Sequence, residues 1–474
     1  MSALPESSGF SRRRFLQMSG LTAAGFGIAL SAHQQNLQAE TAQGTANPKE
    51  QFERALQIGT QAYIWGYSLV AVKRTLRRFA VRQGVPLNQF VRAQQLATPE
   101  TKAVVLPNND TLYASAWLDL RQEPIILHVP DTQGRYYSVQ LMDAYTNTFA
   151  YVGRRVTGTK EGNYAIVGPA WQGTLPTGVK PIKSPTNTVW GLTRTLVKGE
   201  DDLTTARTLQ QQYTLTSLSA YGGGITPQQQ VPPSPITQTA ESNGLQFYDE
   251  LGAALQDDPP PEDESPLLRL FAQVGIGLNR RPSQEVKDQA TIDGLKQAIS
   301  EGERLIDQKV SNWGKMVNGW MVNYQIGNYG KDYLLRAATA KAALAANTAE
   351  ESLYFITQVD VTGKPLSGAN RYVFRFDPGG LPPVDAFWSL TVYGLDRFLV
   401  ANPLNRYSIG DRTKGLQYNA DGSLDIYVQH EVPVGEESNW LPTPADAFYL
   451  LFQAYQPRAE LLTGAYKVPP VKRV

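Results

Sequence analysis

The chain has 474 residues, 42% of them hydrophobic, with 44 Lys and Arg against 43 Asp and Glu, a formal net charge of +1 at pH 7 and no cysteine. Such a length supports two or three domains with proper cores. The missing cysteine excludes disulfides, iron–sulfur clusters, thiolate zinc sites and a cysteine nucleophile, and the balanced charge gives no whole-chain case for nucleic acid.

Near the start, Ser11-Arg12-Arg13-Arg14-Phe15-Leu16-Gln17 leads directly into the uncharged, apolar run Met18 to Ala32. A basic stretch, an apolar core of this length and small residues beyond it read as a targeting segment, and the run is short for a membrane span. It resembles the twin-arginine pattern S-R-R-x-F-L-K at every specified position except the last, where Gln17 replaces lysine. The expectation is a twin-arginine signal peptide over residues 1–39, passage through the twin-arginine export machinery, and a periplasmic or secreted protein. Ala32 and Ala39 both offer cleavage points, and the polar segment Glu40 to Lys49 favours Ala39. Removal of residues 1–39, with three arginines and Glu6, leaves about 435 residues, a net charge of −1 and no second apolar run long enough for a bilayer. Of three histidines, His33 leaves with the signal, so three histidines cannot meet on one metal within the chain. No cofactor is expected, while an oxygen-ligated metal such as Ca stays open.

From Lys49 to about Gln83, Phe52, Leu56, Tyr63, Tyr67 and Val70 keep helical spacing and predict an amphipathic helix. Lys73, Arg74, Arg77, Arg78 and Arg82 lie at its C-terminal end, where positive charge suits the helix dipole, and read as a solvated helix end. After Val104, short Val-, Ile-, Tyr- and Thr-rich runs broken by Pro, Gly and Asp predict an antiparallel β domain that completes a unit over 49–220: Pro124 to Val129, Arg135 to Leu141, Tyr164 to Val167 and Thr188 to Leu196. A Gly-, Gln- and Pro-rich stretch from Tyr221 to Pro235 opens a linker and helical region over 221–351. Its predicted helices are Leu245 to Leu255, Pro266 to Val274, Gln284 to Val310 and Asp332 to Ala346. A second β domain follows over 352–474, with runs at Leu353 to Val359, Arg371 to Phe376, Phe387 to Tyr393, Leu424 to His430 and Phe448 to Tyr455. The fold class expected is α+β: two β-sandwich-like domains, the C-terminal one jelly-roll-like, with a helical layer between and around them.

Polar motifs concentrate in a few segments. The first set is Pro107-Asn108-Asn109-Asp110-Thr111-Leu112-Tyr113, Arg135-Tyr136-Tyr137 and Asp143-Ala144-Tyr145-Thr146-Asn147; the second is Asn370-Arg371-Tyr372, Asp385 to Thr391, Asn405 to Asp411 and the tail Pro469 to Arg473. With Ala62 to Val70, the first set resembles the family catalogued as domain of unknown function 1254, and the second resembles the adjoining domain of unknown function 1214. The resemblance covers most of the chain beyond the signal. It implies an exported bacterial protein with two β-rich domains and carries no settled activity.

Two readings of the first set stand side by side. Asn108, Asn109 and Asp110 form an Asx-type turn into the strand of Tyr113 and Trp117, or Asp110 shares a cleft with Asp143 and Arg135. In the second case the carboxylates supply acid and base, and the arginine holds an anionic or polyhydroxyl substrate. Ligand-binding candidates are Asn108, Asn109, Tyr113, Tyr63, Trp65, Arg371, Trp388 and Arg406, chosen as polar or aromatic residues in or near the motifs. His430 ends an apolar row on its strand, so burial with a hydrogen bond is expected for it, and His128 lies in a strand apolar on both sides, so a structural role is expected. No G-x-S-x-G segment is present to place a serine nucleophile beside either. Asn419 to Asp425 resembles part of a calcium loop but lacks the closing glutamate, and a hairpin turn accounts for it. Gly222-Gly223-Gly224 follows no strand and has no lysine, so it is no phosphate loop. The functional expectation is an exported hydrolase or lyase acting on envelope or external carbohydrate. The alternatives are a non-catalytic periplasmic carbohydrate- or small-ligand-binding protein, and an assembly module forming a homo-oligomer.

Overall fold

The computed structural model describes residues 47–82, 84–102, 105–222 and 243–474. The expected twin-arginine segment over 1–39, with His33, and the 223–235 part of the Gly/Gln/Pro stretch lie outside the described residues.

Helix α1 (Pro48–Arg77) starts at Asn47, whose side chain accepts from the Glu50 amide while the Glu50 carboxylate accepts from the Asn47 amide; Pro48 supplies the first helical φ. A one-sided helix is not what forms. Ala62, Tyr63, Ile64, Trp65 and Gly66 are buried in succession, because later helices and the end of the first sheet close around the middle of α1. Its basic end is also not simply solvated: Lys73 is buried against Asp257 (3.2 Å) and Asp258 (2.7 Å), and Arg74 pairs with Glu250 (2.7 Å).

The first sandwich comprises β1 (Val91–Arg92), β2 (Thr111–Asp119), β3 (Ile125–Val129), β4 (Tyr137–Met142), β5 (Thr148–Gly153), β6 (Gly162–Val167), β7 (Val179–Lys183), β8 (Thr188–Leu196), α2 (Leu203–Gln211) and β9 (Thr214–Ser217). A five-stranded sheet, β1-β2-β8-β4-β5, packs on a four-stranded one, β7-β6-β3-β9. Ala116, Leu118, Leu127, Val139, Leu141, Val152 and Ile166 fill the space between them. The other face of the five-stranded sheet is divided. At one end Trp117, Met142 and Trp190 receive Val72 and Leu76 of α1; at the other, Tyr113, Arg194 and Ser138 stand in register across β2, β8 and β4.

Helices α3 (Gln246–Asp257), α4 (Ser265–Ala272), α5 (Pro282–Glu285), α6 (Gln289–Ser311) and α7 (Tyr333–Ala342) follow. The helix expected over Gln284 to Val310 is two: Val286 is extended and Asp288 caps α6 through the Thr291 amide. Helix α6 lies so close to α1 that a Cβ on Gly302 would come 2.4 Å from the Tyr63 ring. Between α6 and α7 sits a hairpin that was not among the expected elements, β10 (Lys315–Val317) and β11 (Trp320–Val322), turned by Asn318 (φ 54°) and Gly319 (φ 84°).

The second sandwich has β12 (Ser352–Thr357), β13 (Tyr372–Phe376), β14 (Val384–Gly394), β15 (Ser408–Gly410), β16 (Leu424–Gln429), β17 (Trp440–Pro442), β18 (Phe448–Pro457), α8 (Ala459–Leu462) and β19 (Lys472–Arg473). A six-stranded sheet, β10-β11-β12-β18-β14-β15, faces a four-stranded one, β17-β16-β13-β19. Their core holds Trp320, Phe355, Phe374, Phe376, Trp388, Leu390 and Phe452. The α+β class with two pairs of facing sheets is thus the architecture of the chain. Residue alternation gives the six-stranded sheet a second face carrying Tyr354, Ser389, Thr391, Tyr393, Gln453 and Tyr455.

Candidate functional site

The polar end of the first sandwich meets this second face directly, and the two form a buried seam. Asn108 organises it from the loop before β2. Its Oδ1 accepts from the Asp110 and Thr111 amides (2.8 and 2.9 Å), while its Nδ2 donates to Tyr455 Oη (2.6 Å) across the seam. Asp110, 1% exposed, accepts from Ser389 Oγ (2.7 Å) and from Arg412, whose guanidinium lies over the Phe387 ring. Tyr136 donates to Glu351 (2.8 Å), which also receives Arg155 (2.7 Å). Burial, then the adjacent Glu351, hold the Tyr136 hydroxyl well above the ordinary phenol range.

Arg194 is the exceptional group. It is 3% exposed on β8, and its guanidinium donates to Gln140 Oε1 (2.8 Å), the Ala345 carbonyl (2.8 Å) and Tyr113 Oη (3.3 Å). All three acceptors are neutral. Among the described residues no carboxylate stands within ion-pair distance of it, and Tyr113, Tyr151, Tyr354 and Tyr455 surround it. Burial raises the hydroxyls of Tyr151, Tyr354 and Tyr455, so at pH 7 they stay uncharged beside an arginine that cannot lose its proton. A buried charge is ordinarily paired. Here the neighbouring carboxylates are engaged elsewhere, Asp110 and Asp411 with Arg412 and Glu351 with Arg155, and Arg194 has no ion-pair partner of its own.

The segment after α7 covers this charge. Besides the Ala345 carbonyl, the Ala346 carbonyl accepts from Gln140 Nε2 (3.0 Å), the Asn347 amide donates to Tyr354 Oη (3.1 Å) and the Thr348 amide to Tyr151 Oη (3.0 Å). Ala345 itself is left-handed, at φ 67°, a conformation that costs a non-glycine residue about 1–2 kcal/mol. Across the seam, the fully buried Ser352 Oγ has no hydrogen-bond partner.

The residues singled out from the sequence are dispersed. Thr111 pairs with Leu196 and Met142 with Trp190, so Asp110 and Asp143, each one residue further out, flank opposite ends of β8, about 26 Å apart along the strand at 3.3 Å per residue. Asp143 accepts from the Tyr145 amide (2.8 Å), the Asn147 amide (2.9 Å) and Asn147 Nδ2 (2.9 Å), a loop anchor; burial pushes its carboxyl up to about 6 against those bonds. Arg135 turns to Asp202 (2.5 Å) and the Leu196 carbonyl. Asn109 bonds the Ala97 carbonyl, and Arg406 holds the Glu437 and Trp440 carbonyls. Trp388 is in the second core, and Tyr63 and Trp65 are in the helical core, bonded to Glu303 (3.1 Å) and Glu264 (2.7 Å). Arg371 is exposed. Of the candidates, Asn108, Asp110 and Tyr113 belong to the seam. Arg194, Gln140, Glu351, Arg412 and Gln453 were missed; the one visible signal was Arg194 itself, a charge in the alternating row Trp190, Leu192, Leu196.

Neither histidine joins the site. His128, half-buried, lies 3.0 Å from Asn163 Oδ1. His430 was expected buried but is exposed, because β16 ends one residue before it; its Nδ1 is 2.8 Å from the Thr443 carbonyl. In the calcium-like loop, Asp421 and Asp425 are engaged by Arg375 (3.0 and 2.8 Å). Among the described residues no group of three or more His, Asp or Glu is placed to hold a metal, and no helix is long and apolar enough to cross a membrane.

Residues 87–217 match the family described as Protein of unknown function (DUF1254), and residues 351–459 match Protein of unknown function (DUF1214). The VPA0106 protein from Vibrio parahaemolyticus has a similar crystal structure, with 26% identity and a TM-score of 0.70 over 89% of this chain and 100% of that one. An uncharacterized protein from Burkholderia cenocepacia aligns over 90% of this chain and 96% of that one, with 12% identity and a TM-score of 0.44. No curated protein matches the sequence. Arg194 and Asp110 fall in the first matched segment, and Glu351, Ser389, Arg412 and Tyr455 in the second. The chain therefore carries a segment that matches DUF1254 followed by one that matches DUF1214.

Proposed function

We propose that this is an exported protein that binds a small carboxylate-bearing molecule in the seam between its two sandwiches. The observation that carries the reading is Arg194, a buried guanidinium with no ion-pair partner among the described residues. A guanidinium fork matches a carboxylate's two oxygens, and a tyrosine-lined enclosure between domains is a common place for a small ligand. The Gln140 oxygen and the Ala345 carbonyl now fill the acceptor positions that a carboxylate takes, and left-handed Ala345 marks the segment that gives way to it.

Hydrolysis by paired carboxylates loses its support. Such pairs work at roughly 5–9.5 Å, well short of the separation between Asp110 and Asp143. Thermal denaturation and calorimetric titration of the full chain with acetate, succinate and glucuronate, against glucose, test the proposal. The carboxylates are expected to raise the melting temperature and bind saturably, whereas glucose does neither. R194K keeps the charge but loses the fork, and should weaken binding roughly tenfold. Failure of every carboxylate to bind, or equal binding by folded R194K, refutes the reading.

A further inference from the structure

We infer that a separate cleft, where the two sandwiches meet solvent, binds a tetrahedral oxyanion of the phosphate class. The cleft has a volume of about 540 Å³ and is lined by Arg154, Arg155, Glu350, Asp385, Gln456 and Arg458. Arg154 and Arg155 follow β5 of the first sandwich, Asp385 lies in β14, Gln456 and Pro457 end β18, and Arg458 follows it. Three guanidinium groups from both sandwiches therefore border one concavity.

Two features point to a ligand rather than to a chance gathering of surface charge. Gln456 is 6% exposed, holds a left-handed backbone at φ 51°, and its Nε2 has no hydrogen-bond partner. A non-glycine residue kept in that conformation with an unmet buried donor is strain of the kind that persists at binding sites. Its Oε1 is oriented by Arg154 (3.4 Å), which also donates to the Asp385 carbonyl (2.8 Å). The second feature is Asp385, whose carboxylate receives Arg458 Nε at 2.7 Å. It supplies, from within the chain, the anion that the arginines are arranged to hold.

The class of ligand follows from counting donors. Three guanidinium forks present more N–H donors than the roughly four lone-pair sites of one carboxylate accept, whereas four oxygens at tetrahedral corners serve all three. Asp385, Glu350 and Glu351 balance the three arginines while the cleft is free of ligand, so an incoming oxyanion takes Arg458 from Asp385. Arg194 has no part in this cleft, which adjoins the carboxylate seam only through the Arg155–Glu351 pair.

Calorimetric titration of the full chain with inorganic phosphate at constant ionic strength, and with acetate in parallel, tests the inference. Phosphate should bind saturably and, in the R194K background, more tightly than acetate. R458Q, at an exposed position that leaves the fold intact, is expected to weaken phosphate binding roughly tenfold or more, the equivalent of one charge-assisted hydrogen bond. D385N should tighten it, and R194K should leave it unchanged. Absence of saturable phosphate binding, equal affinity in R458Q, or, in the R194K background where the seam no longer holds a carboxylate, acetate binding as tightly as phosphate overturns the assignment.

Discussion

Of the two readings of Asp110, turn residue or acid/base group, its surroundings support the structural one and make it a bolt between the two sandwiches. Replacing it by alanine removes the acceptor of Ser389 Oγ, itself fully buried, and the main partner of Arg412. An unmet buried hydroxyl costs about 1–3 kcal/mol, and breaking a buried ion pair costs about 3–5 kcal/mol. Arg412 is 19% exposed and keeps Asp411 at 3.3 Å, so its charge is only partly stranded. The lower end of that range applies, and D110A is expected to lose about 3 kcal/mol in urea denaturation followed by circular dichroism. In a cycle with R412A, the double variant should cost about 1–3 kcal/mol less than the two single losses together. Stability within about 0.5 kcal/mol of the parent chain, or strict additivity in the cycle, refutes the structural assignment. If turnover of some saccharide vanished in such an undamaged variant, the acid/base reading would return.

Two further outcomes follow from other parts of the chain. Burial holds the Asp143 carboxyl at about 6 against an ordinary 3.8, so the folded state takes up its proton first and stability falls as pH rises from about 4 through about 6, then levels off. That gap corresponds to about 3 kcal/mol; D143N should gain about this much relative to the parent between pH 4 and pH 7 in urea midpoints, and a constant difference would exclude the cause. For the proposed export route, changing Arg12 and Arg13 together to lysine should leave the full-length precursor in the cytoplasm on cell fractionation, and unaltered export of that variant would remove the twin-arginine reading.

Much of the fold was legible because local chemistry repeats a period. Strands β2 to β4, β8, β13, β14, β16 and β18 lie where Val-, Ile-, Tyr- and Phe-rich runs end at Pro, Gly and Asp. The β10–β11 hairpin was missed although Asn318-Gly319, a strong turn signal, was in plain view, since its strands are only three residues each. His430 was misplaced because alternation says which face a strand residue takes, not where the strand stops. Lys73 looked solvated because Asp257 and Asp258, which bury it, arrive from the far end of α3.

The sequence by itself determined the α+β class, the two sheet-rich segments, the chemistries closed to a chain without cysteine, and the turn chemistry around Asn108. Tertiary structure alone decided which polar residues meet. Asp110 finds Ser389 and Arg412, and Tyr136 finds Glu351, only because the outer faces of two separate sandwiches come together. The physical reason is range: periodicity and turn preference act over a few residues, whereas the balance of buried charge around Arg194 is summed over strands far apart in the chain.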